Sequence, residues 1–223
     1  MKPTYHLLGA ILTLLATTAS TRAVVLIDET FDAGYARTTQ DIANGNMAFY
    51  KGRSGTTATV GPGSLSFSAA TSAGASQYWG YFTDPAANVG AAVQNGHGIV
   101  GIGETLSVSL TFRLSAMPTD TSTYALRFGL FDDVGTRQTA DLGSGGNSAA
   151  FVSNPGYAVF LPLTSMSGLN NQISIRNRTT LTAGNIFSAS ADFTTIGSTV
   201  GGSYTPLASA TDYIFTFSVY RQD

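Results

Sequence analysis

The sequence contains no cysteine, only two histidines and very little charge. The missing cysteine excludes disulfides, thiolate-bound zinc and a lipid-modified N-terminal cysteine. With so few histidines, a zinc site of three or four nitrogen and sulfur ligands cannot be assembled either. Charged residues form 11% of the 223 residues, whereas an ordinary soluble domain has roughly 25%. Long surface helices are therefore disfavoured, because they need charged side chains for solvation and for pairs one turn apart.

Basic patches are also missing. The formal net charge is −2 and no run of lysines and arginines occurs. Binding to nucleic acid requires clustered cations that neutralise phosphates, so nucleic acid is not an expected partner. What the chain has instead is serine, threonine, alanine and 25 glycines, a mixture that suits short strands joined by turns.

Residues 1–23 have the pattern of a secretory signal peptide. Lys2 provides the positive start, residues 7–16 are apolar, and residues 19–23 offer small side chains for cleavage. The apolar stretch is shorter than the ~20 residues that span a bilayer, and no later segment approaches that length. The sequence predicts a secreted or cell-surface protein with one mature domain, residues 24–223.

In three segments large apolar side chains recur at every second position, which predicts strands at residues 104–115, 124–131 and 213–220. The polar segment between the first two predicts that they pair as an antiparallel hairpin. Weaker strands are predicted at residues 24–30, 48–51, 65–69, 77–83, 157–163 and 172–177. The alternation places Ser107, Ser109 and Thr111 outside the core. The predicted core residues are Leu106, Val108, Leu110, Phe112, Leu126, Phe128, Leu130, Phe215 and Phe217.

This number of short strands, separated by turns rich in glycine, asparagine and proline, predicts an all-β antiparallel two-sheet sandwich or jelly roll. Segments 28–32, 81–83, 106–114 and 126–132 resemble surface proteins of Verrucomicrobia and related bacteria, which carry a concanavalin A-like or laminin-G-like jelly roll and often a PEP-CTERM tail. The predicted function is a non-catalytic extracellular module that is glycan-binding, structural or adhesive. The last strands and the C-terminal anchor of that pattern are missing, so we expect a C-terminally truncated domain. The alternative is that the strand at residues 213–220 lies in mid-sheet and closes the fold.

Catalytic patterns are weak. Two-carboxylate glycoside hydrolysis needs neighbouring acids, yet the only glutamates, Glu29 and Glu104, are far apart in sequence. No G-x-S-x-G elbow presents a serine nucleophile, and His97 lies in a predicted turn. A divergent carbohydrate-active enzyme, either a polysaccharide lyase or a glycoside hydrolase, remains the alternative function.

Calcium is the one cofactor that the sequence suggests. The carboxylates of Asp28, Glu29 and Asp32, or those of Asp132 and Asp133, supply the hard oxygen ligands that calcium prefers. The alternative for both groups is an ordinary solvated acidic turn.

An extracellular polysaccharide is the predicted partner, and two sets of residues are candidates for binding it. Trp79 and Tyr81 share a strand face on which a sugar ring can stack, although core packing is the other use of such rings. Arginines form the second set. In the predicted hairpin, Arg113 and Arg127 lie diagonally on the non-core face.

A second strand adds two further arginines to this set. Arg176 and Arg178 alternate with Ile173 and Ile175 and should therefore point away from the core. Together the four arginines predict a cationic groove for an anionic glycan, because guanidinium matches carboxylate and sulfate geometry. Ordinary solvated arginines are the alternative.

Overall fold

The computed structural model describes residues 28–31, 36–39, 47–52, 56–68, 76–82, 102–117, 125–143, 146–163, 173–187, 190–199 and 207–222. The predicted signal peptide, Asp32, His97 and most of the loop before residue 125 lie outside these residues. The described strands are β1 (Phe49–Lys51), β2 (Ala58–Gly61), β3 (Ser64–Phe67), β4 (Tyr78–Gly80), β5 (Thr105–Arg113), β6 (Ala125–Phe131), β7 (Gly156–Pro162), β8 (Ser174–Arg178), β9 (Phe193–Ser198) and β10 (Asp212–Tyr220). The predicted all-β class is confirmed. No helix in these ranges is long and apolar enough to cross a membrane.

Every described strand pair is antiparallel. One sheet has four strands in the order β6–β7–β8–β9, and three sheets have two strands each, β1–β4, β2–β3 and β5–β10. The β2–β3 hairpin turns at Pro62 and Gly63. Gly63 has a φ of +70°, a conformation that glycine adopts without the steric penalty of a β-carbon. The described residues 28–30 of the predicted first strand are not in a strand.

The predicted hairpin between β5 and β6 is wrong. β5 pairs along its whole length with β10, from Arg113 opposite Asp212 to Thr105 opposite Tyr220. β6 pairs instead with β7, the next strand along the chain. Alternation within a strand determines which residues share a face, but it does not determine which strand lies alongside. β5 and β6 therefore belong to two different sheets.

Aromatic side chains of β5 and β10 contact the inner face of the four-stranded sheet. The Phe128 and Phe215 rings stack with centroids 4.4 Å apart, and Phe112 lies 5.5 Å from Phe128. Phe217 is buried together with Val159 of β7 in the same apolar cluster. The main described core therefore lies between β5–β10 and β6–β7.

The predicted faces of β5 are confirmed, but not the burial of all its apolar residues. Ser107 and Ser109 are exposed, as expected, and their hydroxyls bond to Ser218 and Thr216 of β10. Val108 and Leu110 are each 37% exposed, so their assignment to the core is wrong. β5 pairs only with β10 in the described residues, and the four-stranded sheet covers its apolar face incompletely.

Candidate anion-binding site

The outer face of the four-stranded sheet carries three arginines. Phe128 packs against β10, so its neighbour Arg127 points to the opposite side of the sheet. Across the strands, Arg127 pairs with Phe160 of β7, and Arg176 of β8 pairs with Ala158. These positions all lie on the face that is turned away from β5–β10.

The Phe160 ring contacts two guanidinium groups. The Cζ atoms of Arg127 and Arg176 each lie 4.4 Å from the ring centroid. The arginines come from β6 and β8, the strands on either side of β7, so they reach the ring from different strands. Such contacts are attractive because the ring face is electron-rich. We call these three residues the Arg–Phe–Arg cluster.

Each arginine of the Arg–Phe–Arg cluster is held by one further hydrogen bond. Arg127 donates from Nη1 to the carbonyl of Phe187 (2.6 Å), and Arg176 donates from Nε to Oγ of Ser174 (2.9 Å). Both side chains remain partly exposed. In the part of the chain that the structure describes, neither guanidinium forms an ion pair with a carboxylate. The cluster therefore combines fixed positive charge with access to solvent.

Electrostatics within the Arg–Phe–Arg cluster are unfavourable without an anion. Burial lowers the pKa of Arg127, and the positive charge of Arg176 lowers it further. Burial also lowers the pKa of Arg176. Both groups stay protonated at neutral pH, because an arginine does not deprotonate in proteins. Two like charges are thus held near each other in a partly dehydrated environment, and bound anionic groups such as carboxylates or sulfates would stabilise them.

Arg178 lies on the same face but has a structural role. It is 2% exposed and donates to the carbonyls of Phe151 (2.8 Å), Asn154 (2.8 Å) and Ala183 (2.7 Å). Burial lowers the pKa of Arg178, and the negative charge of Asp192 partly offsets this effect. The prediction that this arginine faces solvent is wrong, because carbonyls of the segment before β7 and of the segment before β9 surround its guanidinium.

Aromatic rings close the end of the face next to Arg178. Phe131, Phe187 and Phe193 pack around the buried Ala158 and Phe160. The Phe131 ring lies over Gly129 and Gly156, where an added β-carbon would collide with it. The covered end therefore leaves the Arg–Phe–Arg cluster as the partly open region of this face.

Arg113 is far from this arrangement in the fold. It lies on β5, in the other sheet, and forms an exposed ion pair with Asp212 of β10 (2.6 Å). Phe112 and Phe128 meet between the two sheets, so Arg113 and Arg127 point away from each other on opposite sides. The prediction that these two arginines lie diagonally on one face assumed a β5–β6 hairpin, and it is wrong because those strands do not pair. The structure instead brings Arg127 together with Arg176.

Trp79 and Tyr81 pack within the protein. Trp79 meets the buried Phe151 edge-on at 5.1 Å, stacks on Tyr50 at 6.0 Å, and donates from Nε1 to the carbonyl of Gln138 (2.9 Å). The Tyr81 hydroxyl accepts from the amide of Gln138 (2.8 Å), and burial raises the pKa of Tyr81. The rings are thus engaged by protein atoms, as in the core-packing alternative.

Glu29 uses both carboxylate oxygens for backbone amides. They accept hydrogen bonds from Phe31 (2.7 Å) and Met47 (2.6 Å), which ties two segments together. Asp28 is exposed, and Asp32 lies outside the described residues. A calcium site at these three residues stays a prediction.

The second acidic pair caps a turn. Asp132 accepts from the amide of Val134 (2.8 Å), and Asp133 accepts from the amide of Gly135 (2.9 Å) and from Arg137 (2.6 Å). These bonds support the positive φ angles at Val134 and Gly135. Among the described residues, no three histidine or acidic side chains lie close enough to hold a metal ion.

No protein-family model, curated protein or solved structure matches the chain. The similarity to jelly-roll surface proteins therefore depends on the sequence segments named above, and the functional argument depends on the geometry of the site.

Sequence analysis did not identify two residues of the site, Phe160 and Ser174. Phe160 belongs to β7, where Ala158, Val159, Phe160 and Leu161 are buried consecutively. Such an uninterrupted apolar run is typical of a strand covered on both faces. This pattern was a signal that the neighbouring arginines would lie over aromatic rings and not in open solvent.

Proposed function

We propose that this chain is a secreted, non-catalytic β-sandwich module that binds an acidic extracellular polysaccharide at the Arg–Phe–Arg cluster. The supporting observation is the position of Arg127 and Arg176, which are partly exposed, near each other and without a carboxylate partner in the described residues. An external anion completes such a site.

The ligand class follows from the chemistry of guanidinium. Its planar donors match the two oxygens of a carboxylate and the oxygens of a sulfate, and charge-assisted hydrogen bonds of this kind are stronger than neutral ones. Uronic and sulfated sugars carry these groups outside the cell. The sequence has no run of lysines and arginines, so the clustered cations that nucleic acid needs along its phosphates are missing.

The finer fold in this proposal is a concanavalin A-like jelly roll. It is supported by the antiparallel pairing of all described strands and by the ring contacts of Phe215 and Phe112 with Phe128 across two sheets. Sheets that bury alternating faces against each other define a sandwich. The segments that resemble jelly-roll surface proteins support the same architecture.

A glycan array combined with a product assay tests the function. The purified mature domain should bind uronic or sulfated glycans in preference to neutral glucans, and it should release neither reducing ends nor unsaturated products from them. Equal binding to neutral glucan contradicts the anionic ligand. Product release contradicts the non-catalytic role and supports the carbohydrate-active enzyme.

Export is tested separately. N-terminal sequencing of secreted protein should give a mature chain that starts near Val24, because small residues precede this position. Secreted material that still begins at Met1 would contradict the signal peptide.

A further inference from the structure

We infer that the Arg–Phe–Arg cluster binds two anionic groups of one glycan chain at the same time, so that its ligand is a polyanionic polysaccharide and not a single acidic sugar. This inference depends on the proposed function and adds the number and spacing of the charges that the site recognises.

The separation of the two guanidiniums follows from the fold. Arg127 and Arg176 come from strands on either side of β7. Neighbouring strands lie ~4.8 Å apart, and Arg176 is offset from Arg127 by two residues along the strands, so the two side chains start about 12 Å apart. Both Cζ atoms lie 4.4 Å from the same ring centroid, which limits their separation to about 9 Å. Because the two guanidiniums reach the Phe160 ring from different strands, the inference assigns each of them its own anionic group.

Each guanidinium is held in place before a ligand arrives. Arg127 is fixed by the Phe187 carbonyl, Arg176 by the Ser174 hydroxyl, and both by the Phe160 ring. Ser174 and Phe160 are each 6% exposed and belong to paired strands, so the supports themselves are rigid. Preorganised donors lose little side-chain entropy on binding. The spacing between the two charges is therefore a fixed property of the site.

Two anionic groups carried by one ligand give a higher affinity than the same two groups on separate ligands. A single exposed ion pair contributes little and is screened by salt. When the second anion is carried by the same chain, its binding becomes intramolecular and occurs at a high effective concentration. The affinity should then rise sharply once the ligand is long enough to reach both arginines.

The first test uses wild-type protein and a series of uronic-acid oligomers, from the monosaccharide to the hexasaccharide, measured by isothermal titration calorimetry at low salt. The affinity should increase at least about tenfold at the length that first spans both arginines, and change little beyond it. A gradual increase in proportion to the number of charges contradicts two-point binding. Failure of every oligomer and of the parent polysaccharide to bind contradicts the proposed function itself.

The second test compares salt dependence. The slope of log affinity against log salt reports the number of ions released on binding. For the hexasaccharide, Arg127→Gln and Arg176→Gln should each give about half the wild-type slope and about a five- to tenfold loss of affinity. Arg113→Gln is the matched control, because it removes the same charge from the other sheet. Its slope should equal that of the wild type.

Two further measurements keep the result interpretable. Urea unfolding of each variant checks that the fold is retained, and Arg127→Lys tests geometry, since it keeps the charge but loses the planar fork. A slope unchanged in both glutamine variants overturns the inference.

Single-stranded DNA of equal charge is added as a competitor in a separate experiment. Displacement of the hexasaccharide by a lower concentration of DNA than of polysaccharide overturns the assignment to a polysaccharide.

Discussion

The four arginines that the sequence analysis selected occupy three different environments. Arg113 is exposed and paired with Asp212, and Arg178 is buried among backbone carbonyls. Arg127 and Arg176 are partly exposed and stack on Phe160. An arginine contributes to stability when its donors are satisfied by the protein and to binding when donors remain accessible. These environments therefore predict different consequences of substitution.

Arg178→Leu should destabilise the protein strongly. The substitution leaves the carbonyls of Phe151, Asn154 and Ala183 without their donor in a buried location. We expect a loss of about 2–4 kcal/mol in the free energy of unfolding, measured with urea. Arg113→Leu is the control and should change stability by less than about 1 kcal/mol, because the ion pair is exposed. Equal effects of the two substitutions would contradict the structural role of Arg178.

Glu29→Gln tests whether this carboxylate binds backbone amides or calcium. Glutamine has one acceptor oxygen where Glu29 uses two, so one of the amides of Phe31 and Met47 loses its partner. We expect a loss of about 1–2 kcal/mol that is the same with calcium and with a chelator. A destabilisation that occurs only with calcium present would support the metal site.

Because of Asp141, the stability of the folded protein should depend on pH in the acid range. Burial would raise the pKa of Asp141, but hydrogen bonds from Arg37 and the Lys51 amide, and the charges of both residues, outweigh burial and lower it below 3.8. Because the folded pKa lies below the unfolded value, the stabilisation is complete above about pH 5 and disappears as the pH falls through the folded pKa. The midpoint of thermal unfolding of Asp141→Asn should lie below that of the wild type at pH 7, and the difference should shrink as the pH falls through the folded pKa of Asp141. A constant difference would contradict this linkage.

At the scale of strands, the alternation of side chains correctly predicted which residues share a face, but the predicted pairing of the strands was wrong. Strands β5, β6 and β10 lie where the three alternating segments predict them, and Phe217 is buried as expected. The pairing of β5 with β10 joins residues about 100 positions apart, which no local pattern reveals. Strands β2 and β9 were not predicted, because segments such as Thr194-Thr195-Ile196-Gly197 do not alternate.

The contact between β6 and β10 is predicted to dominate the described core. Phe128→Ala should lower the free energy of unfolding by about 3–5 kcal/mol, since it removes a ring that packs on Phe112 and Phe215. Val108→Ala should have a much smaller effect, because Val108 is 37% exposed. The double variant of Phe128 and Phe215 should lose less than the sum of the single losses, because the rings contact each other. Additive losses would contradict the packing of the two sheets.

At the scale of the whole molecule, the site depends on the order of strands. The sequence alone places Arg127 and Arg176 on outward faces, but only the order β6–β7–β8 brings them to the same ring of Phe160. Arg178 is buried by the segments before β7 and β9, and Arg113 lies in another sheet. The residue types of the site were therefore predictable, whereas their grouping required the sheet topology.

Affinity electrophoresis tests the central claim most directly, with polyuronate in one gel and neutral glucan in the other. The wild type and Arg113→Gln should be retarded equally by polyuronate and not by glucan. The double variant Arg127→Gln with Arg176→Gln should migrate freely in both, with at least about a tenfold weaker apparent affinity. Retardation of the folded double variant to the wild-type extent, or equal loss in Arg113→Gln, would contradict an acidic-glycan site at the Arg–Phe–Arg cluster.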